Sequence, residues 1–306
     1  LQVPLGEVRE ALGIAGMGAA TARNFRDKAR MKEVLRAAGV PCARHARLRS
    51  GEEAWRFVAE VGYPVVLKPV AGAGAASTYR VGNESDLRAA LAAYPPAGGR
   101  EVVAEEFVVG DEHSLDTVSI AGEAVWHSIT EYTPAPLTVV ENPWIQWTVL
   151  LPREVDDPRF DEIRRVGCAA LAALGMGTGL SHMEWFRKRD ASVAVSEVGA
   201  RPPGAQIVSL ISWAHDLDFY RAWARLVVFD EFTPPARRFA AGAAYFRGQG
   251  EGRVRAVHGL DAAQRELGGL VVEAKLPQVG QPAASGYEGQ GHVIFRHPET
   301  AVVRRA

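Results

Sequence analysis

The sequence predicts an α+β fold built from two α/β lobes, and three observations carry that prediction. Strand-like and helical periods alternate over short distances across residues 43–107. Past Phe107 the pattern changes to longer strand-like runs, beginning with two that flank Ala121-Gly122 as a hairpin. The chain has 306 residues, 47% hydrophobic and 23% charged, which is enough to bury a sizeable core without staples.

Residues 1–22 hold few patterned apolar residues and read as a linker. Gly13, Gly16 and Gly18 superficially suggest a nucleotide loop, but no strand-like run precedes them, so they read as a turn. Residues 23–42 contain one predicted helix, 24–38. Phe25, Met31, Val34 and Leu35 fall at helical spacing there, and Gly39-Val40-Pro41 ends it.

The small lobe, 43–107, is read as strand 43–48, helix 51–61, strands 64–68 and 78–81, helix 84–93 and strand 101–104. The large lobe, 108–306, opens with the hairpin strands 114–120 and 123–129, followed by a Pro-rich aromatic loop, 132–148. An amphipathic helix over 157–174 places Phe160, Ile163, Val166, Ala170, Leu171 and Leu174 on one side. Strands 179–186 and 192–198 flank the charged turn Arg187-Lys188-Arg189-Asp190. A helix over 217–228 follows, and 239–295 reads as several strands with a short helix near 261–267.

Composition excludes several function classes. A formal charge of −1 gives no global drive toward nucleic acid or a membrane surface. Cys42 and Cys168 cannot make a disulfide framework, no apolar run is long enough to span a bilayer, and no signal-peptide pattern opens the chain. A cytoplasmic location is the expectation. A start at Leu1 rather than Met leaves open that the sequence is a piece of something longer.

Two segments carry most of the chemistry. Lys68 ends the apolar run Tyr63-Pro64-Val65-Val66-Leu67-Lys68-Pro69, a place where a chain has little reason to put a charge. The small-residue stretch 71–78 follows, with Gly72, Gly74 and Ser77, and such a loop lets main-chain N–H groups approach phosphate oxygens. Lys28 is a second, weaker cation candidate. Further on, Glu184 in Ser181-His182-Met183-Glu184-Trp185 and Glu197 in Val195-Ser196-Glu197 are paired carboxylates on adjacent strand-like segments. They suit a divalent cation, magnesium or manganese, which needs only one or two carboxylates beside substrate phosphates. Period-two alternation puts His182 with Glu184 on one face and Glu197, Gly199 and Arg201 on one face. The planar fork of Arg201 suits a carboxylate or a transferring phosphoryl group.

A third element, Ala104-Glu105-Glu106-Phe107-Val108, joins the two lobes. Such a connection can present main-chain groups to an adenine edge. Phe107 or Val108 would pack on the ring, Glu105 or Glu106 would accept from the exocyclic amine, and Glu112 would take ribose hydroxyls. Other conspicuous residues favour plainer readings: His182 as a core or supporting histidine, and Cys168 as inert core on an apolar helix face. Trp126, Trp144, Trp147, Trp185 and Trp213 divide between core and an acceptor pocket.

In this order, these elements resemble the ATP-grasp superfamily, in particular the carboxylate–amine ligases related to biotin carboxylase and the L-amino-acid ligases. The resemblance runs from about Arg26 to the chain end. It implies that Lys28 and Lys68 hold phosphates, that 71–78 is the phosphate loop, and that Glu105, Glu106 and Val108 form the adenine hinge. It further implies Glu112 as the ribose carboxylate, Glu184 and Glu197 as the metal-binding acids, and Arg201 as the catalytic or substrate-carboxylate arginine. Two departures stand out. The superfamily usually reads Glu-x-Asn-x-Arg at the second acid, where this chain has Gly199. It also usually carries an α/β domain in front, of which 1–22 would be a remnant, and a closing helix is expected after Thr300.

The function this implies is ATP-dependent activation of a carboxylate as an acyl phosphate, then its capture by an amine to give an amide or peptide-like bond. ATP and magnesium are the implied cofactors. Small-molecule carboxylates and amines are the implied partners, and a homodimer is an open expectation. The alternatives are a biotin-type carboxylase working through carboxyphosphate, or a nucleotide-binding protein that has lost its chemistry.

Overall fold

The computed structural model describes residues 1–72, 77–142, 144–248, 252–284 and 286–306. The chain opens with three helices, α1 (Gln2–Leu12), α2 (Ala19–Arg26) and α3 (Lys28–Ala37). The first occupies the segment read as a linker. Gly13 closes it at φ 65, a left-handed conformation that glycine adopts without a Cβ clash. The single helix expected over 24–38 is broken at Asp27. Its extended backbone ends α2, and its side chain accepts from Arg30 N at 2.9 Å to cap α3.

The small lobe follows the predicted alternation: β1 (His45–Leu48), α4 (Gly51–Val61), β2 (Val65–Pro69), β3 (Tyr79–Val81), α5 (Glu84–Ala93) and β4 (Val102–Glu106). Ser50 and Asn83 cap α4 and α5 by accepting from Glu53 N and Asp86 N. The strands form an antiparallel sheet in the order β1-β4-β2-β3. One of its faces closes over Leu48, Phe57, Leu67, Leu87 and Val102. Each such side chain contributes about 1.5–3 kcal/mol on burial.

The large lobe continues with β5 (Asp111–Ile120), β6 (Glu123–Thr133), α6 (Pro136–Glu141), β7 (Trp147–Leu151), α7 (Asp161–Leu174), β8 (Gly179–Arg187) and β9 (Val193–Gly199). It ends with α8 (Ile207–His215), α9 (Phe219–Phe229), β10 (Ala240–Phe246), α10 (Leu260–Leu267), β11 (Val271–Lys275), β12 (Gly291–His297) and α11 (Thr300–Arg305). The strands make one antiparallel sheet, β11-β12-β10-β7-β6-β5-β8-β9. Helices α6 and α8 lie in stretches that sequence patterning left without elements.

Strand alternation assigns the two faces of this sheet different jobs. Leu115, Ile129 and Met183 face the core shared with α2, α3 and α7. Val118, Trp126 and Leu180 face the opposite way, into the core shared with α8 and α9. Along that second face the side chains change from apolar to polar. On β5 they run Val118, Asp116, Ser114, Glu112; on β8 they run Leu180, His182, Glu184. The apolar end fixes the register, and the polar end becomes the floor of a cleft between the lobes.

Candidate functional site

The cleft is lined from both lobes. Lys68 and Glu105 come from the small lobe, Glu112, Glu184 and Glu197 from the large sheet, and Lys28 and Lys32 from α3. The hairpin of β8 and β9 places Glu184 directly opposite Glu197 and His182 opposite Gly199; because Trp185 pairs with Val195, it is a bulge at this point, which alternation alone does not give, that turns Glu197 to the side of Glu184. Lys28 Nζ lies 2.6 Å from Glu197 Oε1. Lys68 Nζ lies 2.9 Å from Glu105 Oε1, which Lys32 approaches at 3.5 Å. Burial by itself would lower Lys68, but the carboxylates of Glu105 and Glu197 outweigh it and hold the ammonium above its ordinary value. Glu105, likewise buried, is held below its ordinary value because Lys32 and Lys68 overcome the desolvation.

Lys32 was not singled out from the sequence. It is fully buried, donates to Ser196 O at 2.9 Å, and is pushed down chiefly by desolvation. The signal was present: Lys28 and Lys32 stand four apart on the helix face that also buries Met31 and Leu35.

The acidic side of the cleft carries more negative charge than the lysines neutralise. Burial, and then the neighbouring Glu184, push Glu112 up to about 8. Glu184 moves the other way, since His182 and the lysines outweigh its burial. Glu184 and Glu197, paired across the hairpin, offer oxygen ligands of the kind a hard divalent cation takes. Among the described residues no group of three His, Cys, Asp or Glu side chains is set to hold a metal alone. Glu184 and Glu197 would therefore share the ion with phosphate oxygens.

His182 has more structure around it than a plain core histidine. Its Nδ1 lies 2.8 Å from Asp116 Oδ1, and its Nε2 faces Glu184 Oε1 at 3.8 Å. Burial would lower it, but fully buried Asp116 raises it to about 9.

The phosphate-loop residues divide. Gly72 lines the cleft, and its carbonyl accepts from Arg26 at 2.8 Å and from Lys28 Nζ at 3.5 Å. Gly74 lies outside the described residues. Ser77 is exposed at φ 54, and it is Thr78 that lines the cleft: the left-handed backbone at 77 turns that side chain outward.

At the hinge, Glu105 lines the cleft and pairs with Lys68 and Lys32 through its Oε1. Glu106 is also engaged, accepting from Arg44 N at 2.8 Å and Arg44 Nε at 2.6 Å. Phe107 and Val108 line the cleft, together with Val66 and Phe186. Arg80 covers the Phe107 ring at 4.4 Å.

Arg201 lines the cleft and donates to Pro202 O at 2.8 Å. A Cβ at 199 would stand 3.3 Å from Arg201 Cγ and 3.4 Å from its Nε, so a larger residue there requires the arginine side chain to shift.

A model of the ATP-grasp domain matches residues 33–213. The chain belongs to the ATP-grasp family. It is 26% identical over 235 residues to an L-arginine-specific L-amino acid ligase of Bacillus subtilis, a match covering 73% of this chain and 54% of that protein. The chain thus spans about half the length of that curated relative. Among solved structures, the ATP-grasp fold seen here superposes on an L-amino acid ligase from Bacillus licheniformis with a TM-score of 0.75. That match is 22% identical and covers 98% of this chain and 75% of that one. A carboxyaminoimidazole ribonucleotide synthase from Aspergillus clavatus, complexed with ATP, superposes with a TM-score of 0.73 at 21% identity, covering 97% and 75%.

Two further expectations change. Cys168 is exposed rather than core, because α7 buries Val166, Gly167, Ala170 and Leu171 and turns position 168 outward. The tryptophans separate: Trp126 and Trp185 are core, Trp144 is 57% exposed, and Trp213 donates to Glu273. Of the five, only Trp147 is among the described residues that line the cleft. No helix among the described residues is long and apolar enough to cross a membrane.

Proposed function

We propose that this chain binds ATP between its lobes and uses it to activate a carboxylate as an acyl phosphate, which an amine then captures with release of ADP and phosphate. The observation carrying this reading is the convergence of Lys28 and Lys68 with the Glu184–Glu197 pair on one cleft. Phosphoryl transfer needs cations on the phosphates, a divalent ion bridging them and a positioned acceptor. Lys28 and Lys68 hold phosphate oxygens, and Val66, Phe107, Val108 and Phe186 offer apolar surface to a base. Glu184 and Glu197 would hold magnesium, which when bound neutralises the phosphates and draws charge from the transferring group.

Arg201 steadies the carboxylate as one of its oxygens attacks the γ-phosphorus and the bond to the β–γ bridging oxygen breaks. The amine nitrogen then attacks the acyl carbon, a proton leaves the nitrogen, and inorganic phosphate departs. Closure of the small lobe over the cleft would exclude water from the acyl phosphate. A screen of ADP release against pairs of amino acids and small carboxylates, with and without magnesium, tests the reading. Release that requires both an acid and an amine supports it; release stimulated by bicarbonate without an amine would move the assignment to a carboxylase.

A further inference from the structure

One wall of the cleft takes no part in the nucleotide chemistry. Tyr132 from β6, Leu137 from α6, Trp147 from β7, Ile207 at the start of α8, and Tyr287 ahead of β12 line it. Tyr132, Leu137 and Tyr287 are half-buried and face the cleft, and the buried Trp147 and Ile207 back them. The Trp147 ring stacks on Tyr132 and Tyr245, with centroids 5.9 and 4.9 Å away, and Tyr287 meets it edge-on at 4.9 Å. Trp147 Nε1 donates to Pro134 O at 3.1 Å, so the ring presents carbon rather than a donor. Tyr287 joins this wall to the reacting centre, since its phenol feels both Glu184 and Arg201 and approaches Gly204.

Arg247 holds the wall in place. Its guanidinium donates to Ile145 O, Gly286 O, Tyr287 O and Val139 O, tying the loops on either side together. Those bonds commit it to backbone carbonyls. Among the described lining residues, the cationic groups outside the lysines of the nucleotide side are Arg201 and His182, and His182 is held by Asp116. The lining carboxylates belong to β4, β5, β8 and β9, and of these Glu184 borders the wall beside Tyr132 and Tyr287.

Resting on the ligase reading, we infer that the carboxylate substrate carries a bulky apolar side chain, aromatic or branched, seated on Tyr132, Leu137, Trp147, Ile207 and Tyr287. Its carboxyl group lies toward Arg201. Of the carboxylates beside the wall, Glu184 would be held by the metal and Glu288 accepts from Ala205 N and Gln206 Nε2, so a guanidinium or ammonium side chain would have to compete for them, and a phosphorylated acceptor would find as cation chiefly the arginine that serves the reaction. Burying a charged side chain there without a partner costs far more than burying an apolar one gains.

The test supplies hydroxylamine as the amine, which converts an acyl phosphate to a hydroxamate with loss of phosphate. Hydroxamate formation is measured for L-phenylalanine, L-leucine and L-methionine against L-aspartate, L-lysine and L-arginine. The expected kcat/KM for the apolar acids exceeds that for the charged ones by about ten-fold or more, the discrimination an apolar pocket delivers. Leu137→Glu, at a half-buried position, should cut that ratio at least ten-fold and favour L-lysine and L-arginine. Preferential turnover of charged acids by the wild-type protein overturns the inference and leaves the ligase reading standing. An unchanged ratio in folded Leu137→Glu overturns it as well. Failure of every acid to give hydroxamate removes the ligase reading, and the inference with it. The wild-type panel decides the matter even if the variant does not fold.

Discussion

Lys28 Nζ and Glu197 Oε1 stand 2.6 Å apart, although they lie 169 positions apart in the sequence. The lysine comes from the first turn of α3 and the glutamate from β9, so this ion pair closes the cleft where a triphosphate and its metal would sit. Nucleotide binding has to exchange that contact for lysine–phosphate and carboxylate–metal contacts. Glu197→Gln keeps the shape and hydrogen-bonding capacity but removes the charge. Turnover should fall at least a hundred-fold with little change in melting temperature, read by ADP release and thermal unfolding. Full activity in this variant would remove Glu197 from the metal site.

Lys68→Ala should weaken ATP binding and also destabilise the protein. The substitution strips Glu105, which is only 5% exposed, of its 2.9 Å partner and leaves Lys32 as its one close cation. Breaking a buried pair from one side costs on the order of 3 kcal/mol, and the retained lysine reduces that. Urea unfolding and ATP titration read the two effects separately. Unchanged affinity would exclude Lys68 from the phosphates.

Asp116→Asn should loosen the His182 ring, whose Nδ1 it holds at 2.8 Å, and through it Glu184. Groups that orient a metal ligand in this way commonly contribute ten- to a hundred-fold in metal affinity. Manganese titration of the ATP-bound protein should show a loss of about ten-fold. Equal manganese affinity would make this buried pair purely structural.

How legible this was in the sequence depended on the range of the interactions. The small lobe could be read because its helices carry their own caps, Ser50 and Asn83, and its strands are bounded by Gly and Pro. The pairing of the two strands was legible from the charged turn, but the register that sets Glu184 opposite Glu197 depends on a bulge beside Glu184 that alternation does not give. Asp116 escaped notice: one of three acids on the mixed strand β5, it becomes informative only once β8 places His182 beside it. Lys32 and the Glu105 pairing stayed hidden for the same reason, since both need the small lobe folded over α3. Helix α1 was missed because its apolar residues Leu5, Val8 and Leu12 remain largely exposed and form no strong buried stripe.

Acid should destabilise the large lobe through His215. Burial, and then Arg237, press this histidine down to about 3, and its Nδ1 contacts Ile211 O at 2.8 Å. An exposed histidine titrates near about 6.5, so the unfolded chain binds a proton that the native protein refuses between those values. The contribution is complete above pH 6.5 and is lost as pH falls toward 3, at about 1.4 kcal/mol per pH unit. Urea midpoints at pH 7.5, 5.5 and 4.5 should fall more steeply for the wild type than for His215→Gln. Parallel slopes would show that His215 titrates normally.

Gly199→Asn should displace Arg201, whose Cγ lies 3.3 Å from where the new Cβ would go. Turnover is expected to drop about ten-fold while ATP affinity holds, because the arginine acts on the attacking carboxylate rather than on the bound nucleotide. An unimpaired variant would show that Arg201 can serve from another position.

The most direct test is calorimetric titration of ATP into the wild-type protein and into a Glu184→Gln, Glu197→Gln double variant, each with and without magnesium. A metal–triphosphate bridging the lysines and the acidic pair predicts that magnesium tightens ATP binding in the wild type and does nothing in the variant. If magnesium leaves wild-type affinity unchanged, or strengthens binding equally in both, the two carboxylates do not hold the metal and the reading of this cleft fails.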